Sequence, residues 1–267
     1  MSSEVPGLRW RVGRLAGLLL LAGCGGAPPI ADASRHGHLT DRLMADGLWL
    51  SLTLGVVASL WLLAAAFGWL PHQARVASAD TRRSRWAVGV LALVAFLIVD
   101  GHLFLGDLRV RQALARARED QQHPPIRVQV NAQRWSFLFR HPGIDGRFNT
   151  ADDVVTVNAL RVPVGRRLEL QLGASDVVHG LRIPALRIQT DAIPGRITRL
   201  SALPEQEGSW ELHCSQHCGV AHYRMRGTLE VVPAERYEAW LRAESERAMH
   251  REDPDDPHRN WGWTWRP

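Results

Sequence analysis

The sequence predicts a two-helix transmembrane hairpin followed by an all-β domain of the barrel or sandwich type. Two long apolar segments predict the hairpin, and a later series of short alternating segments predicts the β domain. Hydrophobic residues make up 46% of the 267-residue chain, yet its mean hydropathy is only -0.15, so the apolar residues are concentrated in a few blocks. The net charge of +5 is modest and no basic stripe with interleaved aromatic residues occurs, which argues against a nucleic-acid partner.

The N-terminal residues 1–23 have the pattern of a lipoprotein-type signal peptide. Three arginines in residues 9–14 precede an apolar run, residues 15–22, that is too short to cross a bilayer core, which needs ~20 apolar residues. The small residues directly before Cys24 are typical of a bacterial lipobox, which predicts a lipid on Cys24 and cleavage just before it. A stray cysteine after an ordinary signal peptide is the alternative. Residues 24–46 then form a periplasmic N-terminal segment.

The transmembrane hairpin is predicted in residues 47–106. Residues 48–70 contain no charged side chain, and residues 86–105 contain only Asp100. At a rise of 1.5 Å per residue each segment reaches ~30 Å, the thickness of the hydrocarbon core. We interpret Asp100 as a side chain that reaches the outer interface or a partner helix.

The connector, residues 72–85, sets the predicted topology. It carries four arginines against one aspartate, so the positive-inside rule places the hairpin tip in the cytoplasm. The lipidated Cys24 and the β domain then lie outside. We therefore expect a multi-pass protein of the bacterial inner membrane with a periplasmic domain.

The periplasmic β domain is predicted in residues 126–233, after a helix-like linker, residues 107–125, that ends in two prolines. Alternating apolar and polar residues separated by Gly- and Pro-containing turns predict its strands. The alternating or β-rich segments are residues 126–130, 135–139, 168–172, 210–213 and 228–232. A short helix and an extended tail are expected in residues 234–267.

The segment between the last two predicted strands concentrates metal-binding side chains. Cys218, His222 and Met225 provide a thiolate, an imidazole and a thioether on one loop, and His179 lies upstream on a separate loop. These are the ligand types of copper electron-transfer sites. Cys214, four residues before Cys218, adds a second thiolate, and two sulfurs on one loop can bridge two copper ions.

Two other interpretations of this loop remain open from the residues alone. Two periplasmic cysteines can form a disulfide, and cysteine and histidine ligands can bind zinc. A methionine three residues after the histidine is not needed for zinc, which favours copper. The additional His213 and His217 are interpreted as exposed or structurally hydrogen-bonded imidazoles.

Three motifs of the chain resemble those of the CuA domain of cytochrome c oxidase subunit II. They are C-S-x-x-C-G-x-x-H-x-x-M in residues 214–225, D-V-x-H in residues 176–179 followed by Pro184, and D-A-I-P-G-R in residues 191–196. The resemblance extends over about residues 40–233. It implies a cupredoxin-like barrel docked on subunit I of a heme-copper oxidase, with subunit III nearby. Cytochrome c would then supply electrons that pass through CuA to heme and finally to oxygen.

The same resemblance assigns roles to individual residues. It implies two bridging thiolates, two capping imidazoles, an axial thioether and a backbone carbonyl as copper ligands. In that order these are Cys214 and Cys218, His179 and His222, Met225, and Gln216. Trp135 aligns with the tryptophan thought to receive the electron from cytochrome c, and a plain core or surface aromatic is its alternative.

Some positions depart from the family pattern. Gln216 replaces the glutamate whose carboxylate binds magnesium at the subunit interface, which puts a magnesium ion in doubt.

The acids that could dock a basic cytochrome, or simply be solvated, are Asp152, Asp153, Asp176 and Asp191. No C-x-x-C-H motif occurs, so the cytochrome is expected to be a separate chain.

Two further functions compete with the oxidase. A copper-dependent nitric oxide reductase would share the CuA domain, and a membrane-anchored copper carrier or assembly protein would share the copper ligands. The closed ligand set and the membrane hairpin favour an electron-transfer subunit over a carrier.

Overall fold

The computed structural model describes residues 31–67, 69, 82–119 and 124–250. The predicted signal peptide with Cys24, most of the hairpin tip that was predicted to be cytoplasmic, and the C-terminal tail from residue 251 lie outside the described residues. The statements below concern the described part of the chain.

Two long helices form the predicted hairpin: α1 is Gly37–Ala66 and α2 is Arg82–Glu119. Each contains an 18-residue apolar window of which nothing is buried inside the protein, and each is long and apolar enough to cross a membrane. So much exposed apolar surface would be very unfavourable in water, which is why a bilayer is the environment that fits these helices. Helix α2 continues beyond its apolar part, so the first thirteen residues of the expected linker are helical.

The β domain contains ten strands among the described residues, arranged in two five-stranded sheets. The strands are β1 Ile126–Gln133, β2 Ser136–His141, β3 Val154–Val157, β4 Ala159–Pro163, β5 Leu168–Ala174, β6 His179–Ile183, β7 Ile188–Ala192, β8 Thr198–Ala202, β9 Gly208–Cys214 and β10 Arg226–Val232. The first sheet has the order β3-β2-β1-β5-β8 and the second β4-β10-β9-β6-β7. Within them β1 pairs with β5, and β4 with β10, in parallel.

One contiguous core lies between the two sheets. It is built from inward-facing residues such as Phe137, Leu172 and Leu212, each of which is fully buried. Their alternation along the strands is the pattern that predicted the sheets. Cys214 and Met225 belong to the same cluster, so the loop of metal-binding side chains forms one end of the hydrophobic core.

The segment that precedes α1 is bound to the β domain. Ala33 is fully buried, its N–H donates to the carbonyl of Ala185 at 2.9 Å, and its carbonyl accepts from the N–H of Glu205 at 2.8 Å. Arg187 donates two hydrogen bonds of 2.7 Å to the carboxylate of Asp41 on α1. These contacts join the N-terminal end of α1 to the β domain. A helix, α3 Ala234–His250, follows the last strand.

Candidate metal centre

Two strand ends and one loop carry the predicted ligands. His179 is the first residue of β6, Cys214 is the last residue of β9, and the loop then runs to Met225, directly before β10. The N–H of Cys214 donates to the carbonyl of Met225 at 3.0 Å, which closes the loop at its base. The N–H of Ser215 donates to the carbonyl of Gly180 at 2.8 Å, which ties the loop to β6 beside His179. These two backbone hydrogen bonds therefore fix both ends of the loop and its position beside the start of β6.

Gly180 allows this close approach. A Cβ atom at this position would lie 2.2 Å from the Ser215 hydroxyl oxygen and 3.1 Å from the side chain of Gln216. A larger residue would push the loop away from β6, and with it Cys214 away from His179. The glycine thus belongs to the local structure that assembles the site.

The two cysteine sulfurs face each other without a covalent bond. Their Sγ atoms lie 3.9 Å apart, about twice the ~2.05 Å of a disulfide, and both thiols are free. Both side chains are buried, at 6% exposure for Cys214 and 3% for Cys218. The described structure therefore does not contain the disulfide that the spacing left open, and it leaves room for a metal between the sulfurs.

Each histidine lies beside a different sulfur. The Nδ1 atom of His179 is 3.9 Å from the Cys214 sulfur, and the Nδ1 atom of His222 is 3.6 Å from the Cys218 sulfur. The ligand atoms of His179, Cys214 and Cys218 all lie within 4.8 Å of one another. The two imidazoles therefore flank the pair of sulfurs, one beside each thiol.

Two further donors complete the cluster. The Met225 thioether is fully buried, with its sulfur 3.7 Å from the Cys218 sulfur and 3.2 Å from the His179 ring nitrogen. The backbone carbonyl oxygen of Gln216 lies 3.2 Å from the Cys214 sulfur. All six donors named from the sequence are therefore brought together in one place.

The electrostatics of the cysteine pair favour a bound cation. Burial raises the pKa of Cys214, but hydrogen bonds from His179, neighbouring backbone groups and His222 outweigh it and lower that pKa to about 6. Burial and the adjacent charge of Cys214 raise the pKa of Cys218 to about 11. Without a metal, ionisation of one thiol thus opposes ionisation of the other. A metal cation between the sulfurs would remove this conflict.

Asp176 orients the buried histidine. Its carboxylate oxygen Oδ1 lies 2.8 Å from the Nε2 atom of His179, so the Nδ1 atom is left facing the sulfurs. Burial lowers the pKa of His179, but its contacts with Cys214 and Asp176 more than compensate and raise it overall. A carboxylate on the outer nitrogen of a metal-binding histidine is a common supporting contact. Asp176 was predicted only as a docking or solvated acid, although it opens the D-V-x-H motif three residues before a ligand histidine.

Residues 145–232 match the family described as cytochrome C oxidase subunit II, periplasmic domain. The chain is 27% identical over 239 residues to the alternative cytochrome c oxidase subunit 2 of Bradyrhizobium diazoefficiens, which covers 78% of this chain and 81% of that protein. It is 39% identical over 88 residues to cytochrome c oxidase subunit 2 of Cereibacter sphaeroides, which covers 33% of this chain and 29% of that protein. The chain is similar to cytochrome c oxidase subunit II.

The predicted fold class is confirmed. Two apolar helices followed by a two-sheet domain are the arrangement expected of a subunit II-like protein with a cupredoxin-like periplasmic domain. Among solved structures, the periplasmic domain of subunit II of cytochrome oxidase from Bradyrhizobium japonicum matches with a TM-score of 0.41 and 20% identity. That match covers 46% of this chain and 94% of the other.

The Gln216 side chain distinguishes this subunit II-like protein from the pattern expected of the family. Its amide Nε2 donates to both carboxylate oxygens of Asp191, at 3.1 and 3.2 Å. A glutamate here would place two carboxylates side by side, an arrangement that a cation between them would relieve. The neutral amide needs no such cation, because it satisfies Asp191 directly.

Trp135 lies at the surface beside the loop, residues 215–225, that carries most of the predicted ligands. It occupies the turn between β1 and β2, is 38% exposed, and would contact a Cβ atom at Gly219 at 3.5 Å through its ring nitrogen. Gly219 has a φ of +127°, which favours glycine at this contact. The neighbouring Arg134, which the sequence analysis did not single out, donates from Nε to the carbonyl of Cys218 at 3.2 Å. A hydrogen bond therefore joins the turn that carries Trp135 to the backbone of a predicted ligand residue.

Two of the acids considered for docking a cytochrome are not available at the surface. Asp152 is 8% exposed and accepts hydrogen bonds from Thr150 and the N–H of Asp145. The Asp153 side chain is 6% exposed and lies 3.6 Å from the guanidinium of the buried Arg140. Neither alternative given for these two acids, a docking contact or a solvated surface position, is correct, because both side chains are buried.

Proposed function

We propose that this subunit II-like protein accepts electrons in a heme-copper terminal oxidase through a dinuclear copper centre. In this proposal cytochrome c donates the electrons, and the chain passes them to heme in subunit I, where oxygen is reduced to water. The observation that carries the proposal is the gathering of two unbonded thiols, two imidazoles, a thioether and a carbonyl at one end of the core.

The donor set fits copper. The thiolates of Cys214 and Cys218 and the imidazoles of His179 and His222 would hold the copper. The Met225 thioether and the Gln216 carbonyl, which lie 3.7 and 3.2 Å from the two sulfurs, would complete the donor set. Thiolates and thioethers are soft ligands that suit copper, whereas zinc reaches four ligands without a buried thioether. When bound, the copper pair supplies one-electron redox chemistry.

The protein's own residues keep the metal-binding site rigid and exclude water from it. The loop is closed by the backbone bond between Cys214 and Met225, and His179 is held by Asp176. Burial of both sulfurs and of the thioether at the end of the core excludes water from the site. Ligands that do not move when charge changes keep the reorganisation energy of electron transfer low.

The membrane hairpin supports a place within a larger complex. Its exposed apolar side chains suit lipid and the helices of a partner such as subunit I or subunit III. The contacts of Ala33 and Arg187 hold the β domain at the outer end of the hairpin. This placement would put the copper centre above a partner embedded in the same membrane. It also supports a location in the bacterial inner membrane, with the β domain in the periplasm.

The proposal is tested by purifying the tagged full chain from its native membranes in mild detergent. We expect heme-bearing subunits to co-purify and the complex to consume oxygen with reduced cytochrome c as donor. A Cys218→Ser variant should co-purify the same subunits but lose at least ten-fold of the oxygen uptake. Nitric oxide consumption without oxygen uptake would indicate a nitric oxide reductase. A chain without heme partners that releases copper readily would indicate a carrier and contradict the proposal.

A further inference from the structure

We propose that Arg134 is a positioning residue of the candidate metal centre, which holds the backbone of Cys218 in place and offsets the negative charge of Asp176. This inference rests on the proposed function and specifies what sets the reduction potential of the same site. Arg134 lies in the turn between β1 and β2, in the sheet that does not carry the predicted ligands. It therefore acts on the site from the opposite sheet and supplies no ligand atom.

Two contacts place Arg134 between the two chain segments that carry ligands. Its side-chain Nε donates to the carbonyl oxygen of Cys218 at 3.2 Å. Its backbone N–H donates to Oδ2 of Asp176 at 2.8 Å, and Oδ1 of the same carboxylate lies 2.8 Å from Nε2 of His179. Arg134 is thus joined directly to one ligand residue and, through a single aspartate, to a second ligand residue.

The contact with Cys218 reaches from the surface to a buried residue. The Arg134 side chain is 50% exposed, whereas Cys218 is 3% exposed. The loop passes close to the arginine, because a Cβ atom at Gly219 would lie 3.8 Å from its Nε. Contacts that fix a ligand from outside the ring of donor atoms commonly strengthen metal binding. Loss of this donor would free the backbone on which the Cys218 thiol depends.

The charge of Arg134 opposes that of Asp176. The Nε of Arg134 lies 4.0 Å from Oδ2 of Asp176, so the two residues form an ion pair beside the site. The carboxylate, which orients His179, disfavours any negative charge added to the site, and the guanidinium favours it. Arg134 therefore lets the protein keep the orienting carboxylate without lowering the reduction potential by the full effect of its charge.

This ion pair differs from an ordinary surface pair in what its members also contact. An exposed pair by itself contributes little to stability, because solvent screens it. Here the carboxylate contacts a ligand histidine, and the guanidinium contacts the carbonyl of a ligand cysteine. Since Arg134 is half exposed, we expect its charge to have a moderate effect on the potential.

Two substitutions separate the hydrogen bond from the charge. In Arg134→Gln the amide nitrogen takes the same place along the side chain as the Nε of arginine, so the donor is kept and the charge is lost. Arg134→Met has a similar length but neither a donor nor a charge. Arg127→Gln is the matched control, because Arg127 is exposed at the other end of β1. Circular dichroism of each full-length variant first confirms that the β domain is folded.

Copper affinity is the measurement for the hydrogen bond, and competition with a chelator determines it for the full chain in detergent. Arg134→Met should weaken copper binding by about tenfold, which lies within the usual range for losing a contact that supports a ligand. Arg134→Gln should bind copper within about twofold of the wild type, since the donor remains. Arg127→Gln should likewise stay within about twofold, because an exposed charge far along the strand is screened.

The reduction potential is the measurement for the charge, and a redox titration of the copper absorption determines it. Arg134→Gln should shift the equilibrium of the one-electron reduction towards the oxidised form by about three- to tenfold, where tenfold corresponds to about 59 mV. The double variant Arg134→Gln, Asp176→Asn loses both charges. Its equilibrium should return to within about twofold of the wild type, because the two charges cancel in the native pair.

Specific results would overturn the inference. Wild-type copper affinity in Arg134→Met would refute the positioning role. A wild-type potential in Arg134→Gln, or a double variant whose potential equals that of Arg134→Gln, would refute the offset of charge. Each of these results leaves the copper proposal standing, because copper is still bound. A wild-type chain that binds no copper would overturn this inference and the proposed function together.

Discussion

Two histidines of the β domain, His179 and His141, are both fully buried, yet their surroundings differ completely. His179 lies in the candidate metal centre with both ring nitrogens engaged, one by Asp176 and the other facing two sulfurs. His141 lies under helix α3, where its Nδ1 atom is 3.3 Å from the hydroxyl of Tyr237. No hydrogen-bond partner is found for its Nε2 atom among the described residues.

The protonation of the two imidazoles differs accordingly. Contacts with Cys214 and Asp176 raise the pKa of His179 against the effect of burial. Burial, assisted by the charge of Arg161, lowers the pKa of His141 to about 3. The ring of His141 packs edge-on against Trp240 at 5.2 Å, so it behaves as one member of an aromatic cluster. Burial of a histidine therefore does not identify a site; convergence of other donors on its free nitrogen does.

The largest expected effect is a difference in copper content between a variant of the candidate metal centre and a variant at His141. Cys218→Ser should abolish the dinuclear centre, because the variant keeps only one of the two thiolates that the proposed centre requires. His141→Phe should retain full copper, because the aromatic cluster supplies no ligand. Copper per chain, measured by plasma mass spectrometry after dialysis of the full-length protein, tests both. Loss of copper from both variants would show that the comparison is mistaken.

A smaller effect, on copper affinity, is expected when the hydrogen-bond partner of each histidine is removed. Asp176→Ala should lower copper affinity by about 10- to 100-fold, the usual range for removing a carboxylate that orients a ligand histidine. Tyr237→Phe, which removes the corresponding partner of His141, should leave copper affinity unchanged and cost about 1 kcal/mol of stability. Competition with a copper chelator measures the affinities. Equal affinities for the two variants would refute the orienting role of Asp176.

The smallest effect is a pH dependence of stability. His141 stays neutral in the folded protein down to about pH 3, whereas in the unfolded chain it takes up a proton near its ordinary pKa of 6.5. Acidification below pH 6.5 therefore favours unfolding by up to about 1.4 kcal/mol per pH unit. His141→Phe removes this term, so the stability difference between wild type and variant should shift towards the variant as the pH falls. Hydrogen exchange of core amides at pH 6.5 and 5 would measure it, and a pH-independent difference would contradict it.

The sequence predicted the parts of the fold whose pattern is local. Both apolar helices overlap the predicted apolar segments, and the strands with clear alternation, such as β1 and β5, lie where the periodicity placed them. Strands such as β3 and β7 were missed, because each is only four or five residues long and partly exposed. Their strand conformation depends on pairing with neighbours that are distant in sequence.

The candidate site also has a part that local sequence predicts and a part that depends on contacts between distant residues. Ligands on one loop could be predicted from spacing and from a family resemblance, since thiolate, imidazole and thioether stand within twelve residues of each other. The contact of Arg134 with the Cys218 carbonyl spans 84 residues and has no local signal. The burial of Asp153 against Arg140 is equally invisible in the sequence, because it depends on how a loop folds back over β2.

The most direct test of the central claim is the copper content and the electron paramagnetic resonance spectrum of the full-length wild-type chain loaded with copper. The account predicts two copper ions per chain and a purple, mixed-valence form whose unpaired electron couples to two equivalent copper nuclei. One zinc ion per chain, or a disulfide between Cys214 and Cys218 in the functional protein, would contradict it.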